Sequence, residues 1–156
     1  MQPYEQIDLL SLKSELRVQT IDDKQKIYDP IRKRWFVLQP EELVRQLILM
    51  YLTAILKYPS SIIGVEKQLV VNKLRKRFDI VVFNSEGRPL ILIETKSPSI
   101  DLNIDTALQI SNYNKVLKAK YLWLSNGRQN SFYEVNQSEN STQKINSIPS
   151  YNEVNL

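Results

Sequence analysis

Three charged residues stand inside two apolar runs in the middle of the chain. Asp79 lies in FDIVVF, residues 78–83, and Glu94 and Lys96 lie in LILIETK, residues 90–96. A charged group among buried apolar side chains is costly unless a partner compensates it. The compensation is either an internal ion pair, in which Lys96 neutralises one of the acids, or a bound divalent cation.

The second alternative predicts a specific chemistry. Mg²⁺ prefers oxygen ligands and keeps several of its waters, so two carboxylates and a substrate phosphate are enough to hold it. Asp79 and Glu94 would bind the cation, and Lys96 would orient or help deprotonate the attacking water and stabilise the negative charge that builds on a phosphate. The three residue types therefore predict hydrolysis of phosphodiesters with Mg²⁺ or Mn²⁺ as the cofactor.

Composition removes several other classes of enzyme. The chain has no His and no Cys, which excludes Ser-His-Asp triads, thiol catalysis and metal sites that need imidazole or thiolate. It also has no Gly-rich phosphate loop for a nucleoside triphosphate. A net charge of +4 is compatible with a polyanionic partner such as nucleic acid. No run approaches the ~18 apolar residues of a membrane span, so we expect a cytoplasmic protein without a membrane partner.

Periodicity and turn residues predict the elements that carry these charges. Asp29-Pro30 predicts a hairpin, and Pro40 followed by two acids predicts the first turn of a buried helix. The predicted order is a hairpin at 27–38, a helix from 40, a strand from 62, strands at 78–83 and 90–96, a helix from 104, and strands at 119–126 and 131–135. The fold class is therefore α/β, with a mixed central β-sheet flanked by α-helices.

The same composition predicts three regions. Residues 1–39 form an N-terminal arm, partly helical and partly hairpin, that packs on the core. Residues 40–135 form the core. Residues 136–156 are rich in Asn, Gln and Ser, and we expect a polar, flexible tail.

The spacing of Asp79, Glu94 and Lys96 resembles that of a known family. Asp79, followed after 14 residues by Glu94-Thr95-Lys96, resembles the signature of the PD-(D/E)xK nuclease superfamily, although Phe78 stands where its first Pro is expected. Residues 28–127 are similar to the domain found at the N-terminus of type I restriction enzyme R subunits and in small stand-alone relatives. This resemblance is carried by YDPIRKRWFVLQPEELVRQ, VEKQLVVNKLRKRFDIVVF, LILIETKSP, QISNYN and WLSNG.

The resemblance implies a restriction-endonuclease-like core, with Asp79 and Glu94 as metal ligands and Lys96 as the catalytic lysine. Gln109 and Tyr113, four residues apart on one helix face, match a Gln-x-x-x-Tyr feature whose implied role is positioning near the nucleic acid. Families with this fold also place an acid of the first helix at the metal. The sequence does not decide between Glu41 and Glu42, and we take Glu42.

Several basic residues are candidates for nucleic-acid binding. Arg45 would contact phosphate or pair with Glu41, and Arg75 and Arg77 lie in a basic run beside Asp79. Glu66 is a further ligand or an edge residue, and we favour the edge residue. Arg32-Lys33-Arg34 forms a second basic cluster that is solvated or meets phosphates.

Three hypotheses follow. The first is a Mg²⁺-dependent nuclease that hydrolyses DNA, in which any restriction activity needs partner subunits because 156 residues leave no room for a helicase motor. The second is an inactive module on the same fold that binds nucleic acid or protein. The third is an unrelated domain in which the three charges are internal ion pairs.

Overall fold

The computed structural model describes residues 8–71 and 73–154. The ends of the predicted arm and tail, at 1–7 and 155–156, and Asn72 in the basic run lie outside the described residues. No described helix has the length and apolarity needed to span a membrane.

Two sheets and three α-helices make up the described chain, and the predicted mixed α/β class is confirmed. A 3-10 helix, Leu9–Glu15, precedes a three-stranded antiparallel sheet in the order β1-β2-β3. A six-stranded sheet has the order β4-β5-β6-β7-β8-β9 and is antiparallel except between β6 and β7. The strands are β1 (Val18–Ile21), β2 (Lys24–Asp29), β3 (Arg34–Val37), β4 (Ile63–Val71), β5 (Leu74–Phe83), β6 (Pro89–Thr95), β7 (Tyr121–Ser125), β8 (Asn130–Asn136) and β9 (Ser141–Ile145). The helices are α1 (Pro40–Met50), α2 (Ile104–Leu117) and α3 (Tyr151–Val154).

Helix α1 begins where the sequence predicts. Pro40 lies in the first turn of the helix, where its missing N–H costs no hydrogen bond within the helix. Glu41 and Glu42 complement the helix dipole. The helix continues through a π-helical segment, Tyr51–Ile55. It covers one face of the large sheet, where its Leu47 and Ile48 pack in one cluster with strand residues such as Ile80.

Helix α2 makes the crossover that two parallel strands require. Its first turn is capped reciprocally by Asn103 and Thr106, and it ends at Lys118 in a left-handed conformation with φ of 57°. The buried side chain of Asn114 then holds the start of the next strand, since it bonds both the N–H and the carbonyl of Ala119. Helix α2 covers the opposite face of the sheet, which brings the ends of β6 and β7 beside it.

Two parts of the chain differ from the expectations. Strand β1 was not predicted, although its β-branched residues precede an Asp22-Asp23 turn. The segment after residue 136 was predicted to be a flexible tail. Instead, its strand β9 pairs with β8, and its Ile148 is buried, with 3% exposure. Widely spaced apolar residues at 145, 148, 151 and 154 pack on the core and provide the burial that the polar composition concealed.

Candidate active site

The adjacent strands β5 and β6 bring Asp79 and Glu94 together. Asp79 Oδ2 accepts hydrogen bonds from the backbone N–H of Thr95 at 2.9 Å and from Thr95 Oγ1 at 3.0 Å. The pairing of Ile80 with Ile93 places Asp79 opposite Glu94, and the Asp79 carboxyl is close enough to raise the pKa of Glu94. Two acids therefore meet near the end of a strand whose other residues are largely apolar.

Lys96 follows β6 directly and is fixed at both ends. Its backbone N–H donates to Ser125 O on β7 at 2.8 Å, and its Nζ donates to Gln109 Oε1 on α2 at 3.3 Å. Gln109 Nε2 in turn donates to Tyr113 OH at 3.4 Å. The structure thus connects Lys96, Gln109 and Tyr113 in one chain of hydrogen bonds, with Gln109 and Tyr113 on one helix face, as their spacing of four predicts.

The first helix contributes Glu41 to this group rather than Glu42. Glu41 Oε1 lies 3.4 Å from Thr95 Oγ1, and burial followed by the charge of Asp79 raises the pKa of Glu41, against the lowering effect of Arg45 and Lys96. Glu42 is buried, with Oε1 bound by Arg45 at 2.9 Å and Oε2 bound by Gln46 at 3.2 Å. The choice of Glu42 as the acid facing the metal therefore has to be corrected, because the helix turns its carboxylate toward arginines.

Arg45 occupies the centre of a buried ion-pair network. Its guanidinium contacts Glu42, Asp79 Oδ1 at 3.2 Å and Glu66 Oε1 at 3.1 Å, and its side chain is only 7% exposed. Burial alone would lower the pKa of Arg45, but these three carboxylates outweigh it and raise the pKa. The geometry therefore does not support Arg45 as a phosphate-binding residue, because its guanidinium is already paired with carboxylates of the protein.

The network extends to the small sheet through Arg32. Arg32 binds Glu42 at 2.8 Å and Asp29, whose side chain is fully buried, and its guanidinium also lies over the ring of Phe36. Burial raises the pKa of Asp29, but hydrogen bonds from the backbone and side chain of Arg32 outweigh it, so the pKa is lowered. Arg32 was assigned from sequence only to a basic surface cluster. A single arginine in such a cluster carries no local signal that distant acids will bury it.

Glu66 lies on the edge strand β4, as favoured from sequence, and its side chain is 35% exposed. It has a left-handed φ of 49°, and its carboxylate binds Arg45 instead of joining Asp79 and Glu94. Arg75 and Arg77 lie on β5 and are exposed, and the guanidinium of Arg77 lies 3.9 Å from Glu66. They flank the site without entering it.

Glu94 has the most perturbed ionisation in the site. Its pKa is raised to about 8, first by burial and then by the adjacent Asp79 carboxylate and the hydrogen bond between them, while Lys96 opposes the shift. Two carboxyls in contact cannot both ionise at low cost, so one retains a proton near neutral pH. A divalent cation between them would remove that repulsion, and the donor set fits such an ion.

The acids set a limit on how a cation would be held. Between residues 8 and 154, Asn72 aside, no group of three or more acidic side chains is arranged to hold a metal ion. Glu41 is therefore not grouped with Asp79 and Glu94 as a third ligand. Two carboxylates are still sufficient for Mg²⁺ when water and a substrate phosphate complete the coordination.

Replacing Glu94 with glutamine should stabilise the cation-free protein at high pH. In the unfolded chain this carboxyl ionises near pH 4.5, so from there to about pH 8 the folded protein holds a proton that the unfolded chain has released. The contribution of Glu94 to the free energy of unfolding is consequently most favourable below pH 4.5, and it falls as pH rises through this window. Because Glu94 is half-buried and partly screened, we expect Glu94→Gln to gain roughly 2 kcal/mol at pH 8 and almost nothing at pH 4.

Urea denaturation at the two pH values measures this difference. Glu86→Gln is the matched control, because Glu86 is 70% exposed in the turn between β5 and β6 and its substitution should give no pH-dependent gain. An equal effect of Glu94→Gln at pH 4 and pH 8 would show that the Glu94 carboxyl is not held protonated by the fold.

Comparison with known proteins adds one match. The family model described as the N terminus of type I restriction enzyme R protein covers residues 40–149, which is more than half of the chain. That span includes α1 and the whole strand set from β4 to β9, and hence all the acids of the site except Asp29. No curated protein matches the chain.

Proposed function

Because the chain belongs to the family of type I restriction enzyme R protein N-terminal domains, we propose that it is a divalent-cation-dependent nuclease of the PD-(D/E)xK type that hydrolyses DNA. The observation that carries the proposal is the placement of Asp79, bound by the Thr95 N–H, opposite Glu94, with Lys96 held by Gln109 at the end of the same strand. The family supports a relation to restriction nucleases, and the spacing of Asp79, Glu94 and Lys96 supports the superfamily.

Asp79 and Glu94 would hold Mg²⁺ or Mn²⁺. When bound, such an ion supplies a Lewis acid for the phosphate and a water nucleophile at neutral pH. The remaining contributions come from the chain itself. Thr95 and Arg45 fix the Asp79 carboxylate from two sides, so its orientation is set before any ligand arrives. Glu41 adds negative potential that favours a cation at this position.

Lys96 would act on the phosphate. An ammonium group held close to the reacting atoms stabilises charge that develops in the transition state and needs no reorganisation when it does so. Gln109 keeps Nζ on the α2 side of the site, and Tyr113 supports Gln109. This arrangement makes Gln109 a positioning residue for the lysine. Contacts with partner subunits of a restriction system are part of the same proposal.

One observation favours the alternative, an inactive DNA-binding or protein-interaction module. Both Asp79 oxygens already accept hydrogen bonds from protein groups, which leaves fewer lone pairs for a cation. In that case the acids and Arg45 would serve as an internal ion-pair network, and exposed basic residues would bind the partner.

Cleavage of supercoiled plasmid DNA with Mg²⁺, with Mn²⁺ and with EDTA separates the two functions. We expect cation-dependent nicking by the wild type and none by Asp79→Ala, while Glu86→Ala cleaves like the wild type. Duplex binding by the same proteins in EDTA shows whether the DNA surface is intact. Binding by the wild type without cleavage under any cation would overturn the nuclease proposal and support the module, and equal residual cleavage by Asp79→Ala would identify a contaminant.

A further inference from the structure

The distal half of β4 and β5 projects from the sheet as a two-stranded ribbon, residues 67–71 and 73–78. Strand β5 pairs with β6 only from Ile80 to Phe83, whereas it pairs with β4 as far as Leu74. Within the described part of the chain, residues 74–78 of β5 and residues 67–71 of β4 therefore have only each other as sheet partners. Five successive residue pairs give the ribbon a length of about 15 Å.

The ribbon is strongly and uniformly basic. Its eleven described residues include five basic and no acidic side chains, and the basic ones are Lys67, Lys73, Arg75, Lys76 and Arg77. Four of the five are exposed, and Val70 beside them is 72% exposed. Phe78 and Leu69 anchor the arm to the core, while its exposed basic side chains are complementary to a polyanion.

The base of the ribbon lies at the candidate active site. Asp79 follows Phe78 directly in the chain. On the α2 side, Lys76 Nζ lies 5.1 Å from the ring centre of Tyr113, which is hydrogen-bonded to Gln109. A polyanion that contacts the ribbon would therefore reach Asp79 and Lys96 at its root.

We infer that the ribbon is a groove-binding arm that enters the major groove of duplex DNA and places a backbone phosphate at the acids. The identification of DNA as the polyanion rests on the proposed function. The shape selects the groove: the major groove of B-form DNA admits a two-stranded β-ribbon. The major groove of A-form RNA is deep and narrow and does not admit it, and a single strand offers no groove.

Duplex binding in EDTA tests this inference without turnover. The test variant is Arg75→Gln/Arg77→Gln, and the control Arg88→Gln/Lys24→Gln removes the same charge from exposed positions away from the ribbon. Arg88 lies in the turn at the opposite end of β5, and its side chain is 78% exposed. In the test variant, Arg75 and Arg77 are also at exposed positions. Circular dichroism with thermal denaturation verifies the fold of each variant.

The ribbon variant should bind a 20-base-pair DNA duplex about tenfold more weakly than the wild type at 0.1 M salt. Its plot of log Kd against log salt should lose about 1.8 in slope, because two phosphate contacts disappear. The control should match the wild type. The wild type should also bind the DNA duplex more tightly than an RNA duplex or a single strand of the same sequence, and the ribbon variant should lose most of this preference.

Equal weakening by both variants, or by neither, would overturn the inference, because binding would then follow overall charge or another surface. Equal affinity of the wild type for DNA and RNA duplexes would overturn the groove assignment. These outcomes are independent of cleavage: a protein that binds through the ribbon and never cuts fails only the proposed function. One that cuts DNA while its ribbon variant binds normally fails only this inference.

Discussion

Replacing Lys96 with alanine should lower the rate of cation-dependent DNA cleavage by about 10²–10³-fold, the usual cost of losing one preorganised charge from a transition state. Lys96 Nζ is held by Gln109, and its loss removes the positive charge that opposes the raised pKa of Glu94. The residue follows the last residue of β6, and its backbone anchor to Ser125 does not involve the side chain. Duplex binding in EDTA should therefore stay within about twofold of the wild type, since the ribbon supplies the phosphate contacts.

Single-turnover cleavage kinetics measure this effect. Lys115→Ala, at an exposed position on α2, removes the same charge and should cleave at the wild-type rate. Lys96→Arg should recover little activity, since a planar guanidinium does not replace a compact ammonium. A Lys96→Ala protein that cleaves at the wild-type rate would remove Lys96 from the mechanism.

Replacing Arg45 with methionine should cost about 3–5 kcal/mol of unfolding free energy at pH 7. Methionine keeps the apolar volume of the stem but leaves Glu42 and Asp79, whose side chains are 8% and 16% exposed, without their shared cation. Breaking a buried ion pair by removing one partner is costly because the remaining charge stays in the interior. Arg45→Lys should recover part of the loss, since an ammonium cannot bridge three carboxylates as a guanidinium does.

Chemical denaturation measures the change, with Arg88→Met as the control. Arg88 pairs with Glu86 at 3.8 Å on the surface, where such a pair is worth less than about 1 kcal/mol. A loss at Arg45 no larger than the loss at Arg88 would show that the network does not bear on stability. The position of Asp79, which Arg45 fixes in the structure, would then need another explanation.

Local patterns in the sequence predict much of this fold. The helices at 40 and 104 and the strands around Asp79 and Glu94 follow from periodicity, capping and turn residues, which act over a few positions. A tight turn between β5 and β6 also implies that Asp79 and Glu94 meet. The C-terminal segment shows the limit of this approach, because Ile148 and its apolar neighbours are too widely spaced to form a recognisable pattern.

The finer arrangement of the site depends on contacts that are distant in the chain. Glu41 and Glu42 are consecutive, so about 100° of helix rotation separates them, and the packing of α1 on the sheet decides which one reaches Thr95. The sequence left Arg45 between a phosphate and Glu41, because two of its actual partners, Glu66 on β4 and Asp79 on β5, are distant in the chain. Arg32, on the hairpin turn, joins the same network only once the small sheet has docked against α1.

The proposed mechanism requires Asp79 and Glu94 to hold a divalent cation. The anomalous difference map of a crystal soaked in Mn²⁺ at pH 8, where Glu94 can release its proton, tests it most directly. We expect a peak about 2.1 Å from a carboxylate oxygen of each residue, absent from crystals of Glu94→Ala grown in the same way. A map with no peak between the two acids, and with Asp79 bound only by Thr95 and Arg45, would contradict it.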